Sequence, residues 1–225
     1  MNPADIGVII PALNEAATIG ETIASARGAG EIIVVDGGSD DGTCEVARSH
    51  RHVQLVTTAA GRGLQLAAGA QRCTRPVLLF LHADCALTAG ALDQVCQALQ
   101  RHPHRGWGAM RQQITAGAVK YRLLERGNAW RIRFRGVPFG DQAMFVRRPW
   151  YQSAGGFEPI PLMEDVRLAL RLRRRGWPLL IDGPVIVSPR RWQRRGVLRQ
   201  TLLNFSLQAA HAAGVSPQRL LRFYR

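Results

Sequence analysis

The sequence predicts one open α/β domain: a mostly parallel sheet flanked by helices, with an antiparallel edge in its C-terminal half. Three observations lead there. Short apolar runs alternate with helix-length segments, the runs are apolar at consecutive positions, and several end on a polar or acidic residue. Strands that are apolar at every position are buried on both faces, as in parallel sheets covered by helices on either side. A chain of 225 residues is long enough for one such core. No internal repeat or linker breaks it, so a single domain is expected over 1–225, in two halves, 1–87 and 88–225.

In chain order, Ile6 to Ile10 is an apolar run ending at Pro11 and reads as a buried strand. Asn14 is a candidate cap for a helix carrying Ile19, Ile23 and Ala26, stopped by Gly28. Glu31 to Val35 is a second strand, closed by Asp36-Gly37-Gly38. Ser39, Asp40 and Asp41 offer caps for a helix over Thr43 to Ser49, and Val53 to Val56 is a third strand. Gly61-Arg62-Gly63 opens a small-residue helix to about Cys73, and Pro76 introduces the strand Val77 to Leu81. This β-α-β-α-β-α-β order reads as a doubly wound nucleotide-binding half. The second half is less regular. It is expected to hold helices over Thr88–Leu99, Val119–Phe134 and Met163–Arg175, and two terminal helices over Val197–Ala213 and Pro217–Tyr224. Strands are expected over Trp107–Ile114, Phe139–Val146 and Leu179–Val187, the middle one crossing antiparallel toward the sheet's edge.

The formal net charge of +14 comes almost wholly from arginine, since Lys120 is the only lysine. Arginine suits bidentate phosphate binding and anionic membrane surfaces alike, although a coding preference for arginine over lysine accounts for much of it. The cysteines Cys44, Cys73, Cys85 and Cys96 lack zinc-site spacing and read as reduced thiols. The N-terminus lacks the basic and apolar regions of a signal peptide, and no apolar run approaches a membrane span. A cytoplasmic protein is expected, with peripheral contact at the inner face of the membrane left open.

Ligands of open parallel sheets bind at the carboxyl ends of the strands. Asn14-Glu15, Asp36 and His82-Ala83-Asp84 fall at such ends, and Asp141 lies at or before a later strand. The first turn, Pro11-Ala12-Leu13-Asn14-Glu15, lacks G-x-G-x-x-G, which argues against a nicotinamide or flavin enzyme. A carboxylate ending a buried strand needs a partner, so Asp36 and Asp84 point to a site, whereas Asp40 and Asp41 suit capping. Asp84 is the candidate metal ligand, because Mg2+ or Mn2+ takes hard oxygen ligands and completes its shell with waters and substrate phosphates. His82 is equally well read as a packing residue.

The segments Val8 to Glu15, Val34 to Thr43 and Leu79 to Asp84, followed by Gly140 to Arg148, Gly155-Gly156-Phe157 and Met163 to Val166, resemble family 2 glycosyltransferases of GT-A fold. Together they are most similar to a compact bacterial subgroup associated with radical-SAM and selenoprotein-like domains. The resemblance covers nearly the whole chain. It implies inverting transfer from a nucleotide-diphosphate sugar to a hydroxyl acceptor, which is a small metabolite, a lipid phosphate or a glycan. By the same resemblance, Pro11, Ala12 and Glu15 shape the nucleotide pocket, Asp36 meets the base or ribose, and Arg62 stands beside the nucleotide. Asp84 matches the last acid of D-x-D and would bind the metal. Asp165 matches the general base, with Glu164 its neighbour, and Asp141 and Gln142 belong to the acceptor side. Arg191 and Trp192 match the end of Q-x-x-R-W. The sequence departs from the pattern at His82, which replaces the first acid of D-x-D, at Gly37, where a second aspartate is common, and at Ser188, which replaces the glutamine.

Several of these residues have plainer readings. Acids in a first helical turn complement the helix dipole, so Glu164 and Asp165 have a structural account as well. Adjacent residues on a helix diverge by about 100°, so only one of the pair can face an acceptor. Arg171, Arg173, Arg174 and Arg175 read as a solvated face. Trp192 among its arginines suits a diphosphate or lipid headgroup, and Leu198, Leu202, Phe205 and Ala209 dock either on the core or on a membrane. Two other functions compete. A nucleotidyltransferase would carry a glycine-rich basic loop after the first strand, and Pro11 to Glu15 is not one. A nucleic-acid-binding domain would use the charge directly, but strand-end carboxylates repel phosphate, so no nucleic acid is expected.

Overall fold

In the computed structural model, residues 1–224 are described, with the side chains of all of these except Arg191, Arg194, Arg195, Leu198, Ala212 and Tyr224. Among them run eight strands, β1 (Ile6–Ala12), β2 (Glu31–Asp36), β3 (Val53–Thr57), β4 (Val77–Phe80), β5 (Cys85–Leu87), β6 (Trp107–Ile114), β7 (Phe145–Arg147) and β8 (Leu179–Val187). They form one sheet in the order β3-β2-β1-β4-β7-β6-β8-β5. The first four pair in parallel, β7 is antiparallel to both β4 and β6, β6 and β8 are parallel, and β5 closes the far edge antiparallel to β8.

The helices are α1 (Ile19–Ser25), α2 (Thr43–Ser49), α3 (Arg62–Arg72), α4 (Ala91–Arg101), α5 (Val119–Arg135), α6 (Arg148–Ser153), α7 (Glu164–Arg173), α8 (Arg190–Arg195), α9 (Val197–Ala212) and α10 (Pro217–Tyr224). They cover both faces of the sheet. Ile6, Val8 and Ile10 of β1 point into one layer with Ile19 and Ile23 of α1 and Val95 and Leu99 of α4. Ile9 points the other way, to Leu66 and Ala70 of α3 and, in the same layer, Leu168 and Leu172 of α7. This two-sided burial is why the run is apolar at every position. Close seating of α3 on the sheet depends on Gly69, where a Cβ would lie 2.4 Å from Ile9 Cγ2.

The first half follows the expected order. The departures lie further on. The expected strand Phe139–Val146 is instead a 3-10 turn over Gly140–Gln142 followed by the short β7, and β7 sits inside the sheet, between β4 and β6. Ala143, between them, has φ 43°, a left-handed conformation that ends any extended run there. The helix expected from Thr88 begins at Ala91, and an additional strand, β5, ends at Leu87 just before it. Asn14 does not cap α1. It too is left-handed, and its Oδ1 accepts from the Asp40 amide at 3.0 Å, tying the loops after β1 and β2 together.

Candidate functional site

The carboxyl ends of β1 and β2 are held in register, Ala12 opposite Asp36. Gln65 of α3 clamps them from outside the ladder, its Nε2 donating to Ala12 O at 2.7 Å and Val35 O at 2.8 Å. These ends open a cleft of about 380 Å³ lined by Pro11, Ala12, Glu15, Gly61, Arg62, Gln65, His82 and Asp84, with Pro161 and Leu221 from the second half. The turn after β4 closes through the Cys85 amide donating to His82 O, and α1 is pinned to it by the Thr22 hydroxyl donating to Ala83 O at 2.8 Å. That turn sets His82 and Asp84 on the cleft wall. Burial pushes the Glu15 carboxyl above its ordinary value, the Thr18 hydroxyl pulls it back, and Asp84 nearby pushes it up again.

A second, tighter pocket of about 70 Å³ shares Arg62 and His82 with the first. Its other walls include Phe139, Gly140, Asp141, Met163 and Asp165, with Asn204, Leu207 and Gln208 of α9. Asp165 faces this pocket and is oriented by two backbone amides, Gly140 N donating to Oδ2 at 2.7 Å and Val166 N to Oδ1 at 2.7 Å. The absence of a side chain at Gly140 lets the His82 ring pack against its backbone, since a Cβ there would lie 2.4 Å from His82 Nε2. Met163, which caps α7 and lines this pocket, has φ 68°, a left-handed conformation uncommon outside glycine.

The acidic pair divides as its helical spacing requires. Glu164 is fully buried and ion-paired with Arg62, while Asp165 meets the pocket. Burial raises the Glu164 carboxyl above its ordinary value, and the Arg62 guanidinium opposes that without cancelling it. Asp36 is buried and spent on its own loop, accepting from the amides of Gly38 and Ser39 at 2.8 and 3.0 Å and from the Ser39 hydroxyl at 2.5 Å. Burial works to raise its carboxyl, but these bonds outweigh it and hold the group below its ordinary value.

On the other side, Gln142 is buried, its Oε1 accepting from Arg131 Nη2 at 2.9 Å and from the Phe139 amide at 3.0 Å. Arg131 also donates to Val137 O at 2.8 Å and lies over the Phe139 ring, 3.3 Å from its centroid. Burial lowers this guanidinium to about 10, against the pull of Asp141 and Asp165. Gln112 Nε2 donates to Asp141 O at 3.3 Å, and Asn128 Nδ2 to Gln112 Oε1 at 2.6 Å. Asp141 lines the pocket, and its Oδ1 is buried without a hydrogen-bond partner among the described residues.

The cleft thus gathers Pro11, Ala12, Glu15, Arg62 and Asp84, and the adjoining pocket Asp141 and Asp165, all singled out in the sequence. Asp36, Gln142 and Glu164 stand one layer behind it. Trp192 is buried in the core layer of α1 and α4, and the Arg191 side chain lies outside those described. Sequence reasoning missed Gln65, Gly140, Met163 and the α9 residues. A signal existed for the last: Gln200, Asn204 and Gln208 recur at four-residue spacing. Gln200 Nε2 donates to Asn204 Oδ1 at 2.9 Å.

No group of three or more metal-ligating side chains occurs among the described residues. Asp84 alone fits Mg2+ or Mn2+ only as such an ion sits in phosphate sites, held by one carboxylate and otherwise by water and substrate oxygens. Its Oδ1 takes a contact of 3.6 Å from Cys85 Sγ, which leaves oxygen lone pairs for a cation.

A curled sheet with two joined pockets at its strand ends defines a GT-A-type protein. The model of glycosyl transferase family 2 matches residues 7–153, and the chain belongs to that family. It is 29% identical over 96 residues to uncharacterized glycosyltransferases of Mycobacterium bovis and Mycobacterium tuberculosis, a stretch covering 43% of this chain and 44% of theirs. Among solved structures, S. aureus TarS 1–349 in complex with UDP-GlcNAc aligns with a TM-score of 0.67 at 14% identity, over 81% of this chain and 58% of that one. A mannosyltransferase from Pyrobaculum calidifontis in complex with GDP-Man and Mn2+ aligns at 0.58 and 21% identity, over 84% and 58%. These last two likenesses establish the fold. The chain spans less than two thirds of the length of each of these relatives and neighbours.

Proposed function

We propose that this protein is an inverting glycosyltransferase. It moves a sugar from a nucleotide-diphosphate donor to a hydroxyl acceptor, and we assign it to the compact bacterial radical-SAM and selenodomain-associated subgroup. The observation that carries this reading is the junction of the two pockets at Arg62 and His82. A donor in the larger cleft would present its anomeric carbon to an acceptor held beside Asp165. That one neighbour of the same fold is in complex with UDP-GlcNAc and another with GDP-Man and Mn2+ supports a nucleotide-sugar donor here.

Pro11, Ala12 and Glu15 would border the nucleotide, with Asp36 shaping the loop beside it. Asp84 would hold a divalent cation, whose chemistry is to offset charge on the diphosphate. Arg62, kept in place by Glu164, brings a cation to the same end of the cleft and favours the leaving diphosphate; Arg191 is assigned a similar part. Asp165 would take the proton from the acceptor hydroxyl. Its fixed amide donors aim it without using both lone pairs of either oxygen. Asp141 and Gln142 build the acceptor wall. The four cysteines are free, which suits a cytoplasmic enzyme, and contact with the inner face of the membrane is part of the proposal. No described helix is long and apolar enough to cross one.

A thermal-shift panel of UDP, GDP, CDP and dTDP with their sugars, each with and without Mn2+, tests the donor site, because a ligand of the folded state raises the midpoint by mass action. A metal-dependent rise with one nucleotide series is expected, absent in Asp84→Ala. Silence across the whole panel, or a shift that survives in Asp84→Ala, would remove the donor site or its metal ligand.

A further inference from the structure

The surface between α5 and α9 carries a feature that glycosyl transfer does not use. Val119, Leu123, Trp130 and Phe134 fall within about 60° of arc on α5, at roughly 100° per residue. All four are exposed, Val119 at 73% and Trp130 at 59%, and Trp130 stacks on Phe134 with centroids 5.0 Å apart. On α9, Leu202 and Phe205 are exposed as well, Phe205 at 53%. Between the two helices lies a largely apolar groove of about 870 Å³, more than twice the donor cleft, with Leu123, Trp130, Val197 and Phe205 among its walls. A contiguous apolar face of this kind on a folded domain marks an interaction site.

Its charge says what it meets. The groove is rimmed by Lys120, Arg135 and Arg199, and the stripe on α5 is flanked on its other side by Arg126 and Arg133. Arg126, Arg133 and Arg199 make no ion pair with a described residue. Glu125, the one acid of α5, is turned away and accepts from the Ile114 amide at 2.6 Å. Beyond Asp182 the sequence contains eight arginines and no acid. An apolar face bearing tryptophan and phenylalanine, framed by cations on both sides, has the make-up of a helix lying in the headgroup region of an anionic bilayer.

We propose that the α5–α9 face docks this domain on an anionic lipid bilayer. Trp130, Phe134 and Phe205 enter the acyl boundary, and Lys120, Arg126, Arg133 and Arg199 meet lipid phosphates. This goes beyond the peripheral contact proposed above by naming the surface and the lipid class. It also has a consequence for the site. Arg131 walls the groove and lies over Phe139, which lines the Asp165 pocket, while Thr201 and Phe205 face the groove and Asn204 and Gln208 face the pocket. One layer of side chains separates the docked face from the acceptor end.

The test uses the whole chain and vesicles, without donor or acceptor, so its failure leaves the transferase reading standing. Co-sedimentation with phosphatidylglycerol/phosphatidylcholine vesicles should exceed that with pure phosphatidylcholine at least roughly tenfold, and should weaken with added salt. The double variant Trp130→Ser, Phe205→Ser should lose about tenfold in partitioning onto the anionic vesicles. Bromine-labelled acyl chains should quench wild-type fluorescence and spare the Trp130→Phe variant, a reading that holds even if the double variant folds poorly. Partitioning unchanged in the double variant, quenching unchanged in Trp130→Phe, or no preference for anionic vesicles would overturn the proposal. So would light scattering that shows the face buried in a dimer which the double variant dissolves.

Discussion

The two halves of the sheet are held together differently. In the first half, β1 to β4 are bound through parallel backbone ladders, with the side chains of β1, β2 and β4 almost wholly buried, and the cleft is a by-product of where those ladders stop. In the second, the pocket of Asp165 depends on side-chain bonds, running from Asn128 through Gln112 to the Asp141 carbonyl and from Arg131 to Gln142 and Phe139. The first kind of site is fixed by the fold itself. The second is fixed residue by residue, so single substitutions there should alter chemistry before they alter folding.

The sharpest way to break that contrast is Asp165→Asn. With Asp165 as the proposed general base, its loss is expected to lower turnover about 10²–10⁴-fold. Donor binding should persist, since Asp165 lines the second pocket and not the donor cleft. Asparagine keeps only one of the two acceptors that meet Gly140 and Val166, so a small fall in melting temperature accompanies the loss. Single-turnover rates and donor titration separate the two effects. Near-normal transfer would take the base role from Asp165.

The next effect belongs to the first half. Ile9 is fully buried between the sheet and α3, and Gly69 leaves no slack around it. Ile9→Ala is expected to cost about 2–5 kcal/mol by urea denaturation, with nucleotide affinity of the folded fraction unchanged. Against it stands Gln142→Ala, which strands the Arg131 guanidinium and the Phe139 amide without their shared acceptor. That loss is about 1–3 kcal/mol, and acceptor turnover should fall with it while donor binding stays. Equal effects of the two substitutions on chemistry would erase the distinction between the halves.

The same division governs what the sequence discloses. Continuous apolar runs and glycine punctuation encode β1, β2 and β4, and the acids at or just beyond their ends can be read directly, because one physical rule links position to exposure at the strand end. Asp84 was legible in this way. Gly140 and Met163 were not, since their importance lies in a His82 ring packed against the Gly140 backbone and in a left-handed φ imposed by tertiary contacts. The expected strand over Phe139–Val146 failed for the same reason. Only Phe139, Phe145 and Val146 favour a strand, whereas Gly140 and Asp141 do not; Ala143 is turned left-handed, and Gln142 is drawn inward to satisfy Arg131. Local preference yields there to the pairing of a buried charge.

The smallest effect concerns Glu164 and comes from its burial. Its carboxyl is raised above the ordinary value of 4.5, desolvation outweighing the Arg62 guanidinium. Between 4.5 and that raised value the folded state binds more protons than the unfolded chain. Stability from this group is therefore complete at low pH and falls as pH rises through the window. Glu164→Gln carries no titrating group, so its curve should lack that descent, and its stability relative to wild type should improve as pH rises from about 4 to 8. Denaturation midpoints of both proteins across that range measure the difference. If the wild type instead gained on the variant with rising pH, the Arg62 pair would outweigh burial, and Glu164 would be a charged strut fixing Arg62 at neutral pH.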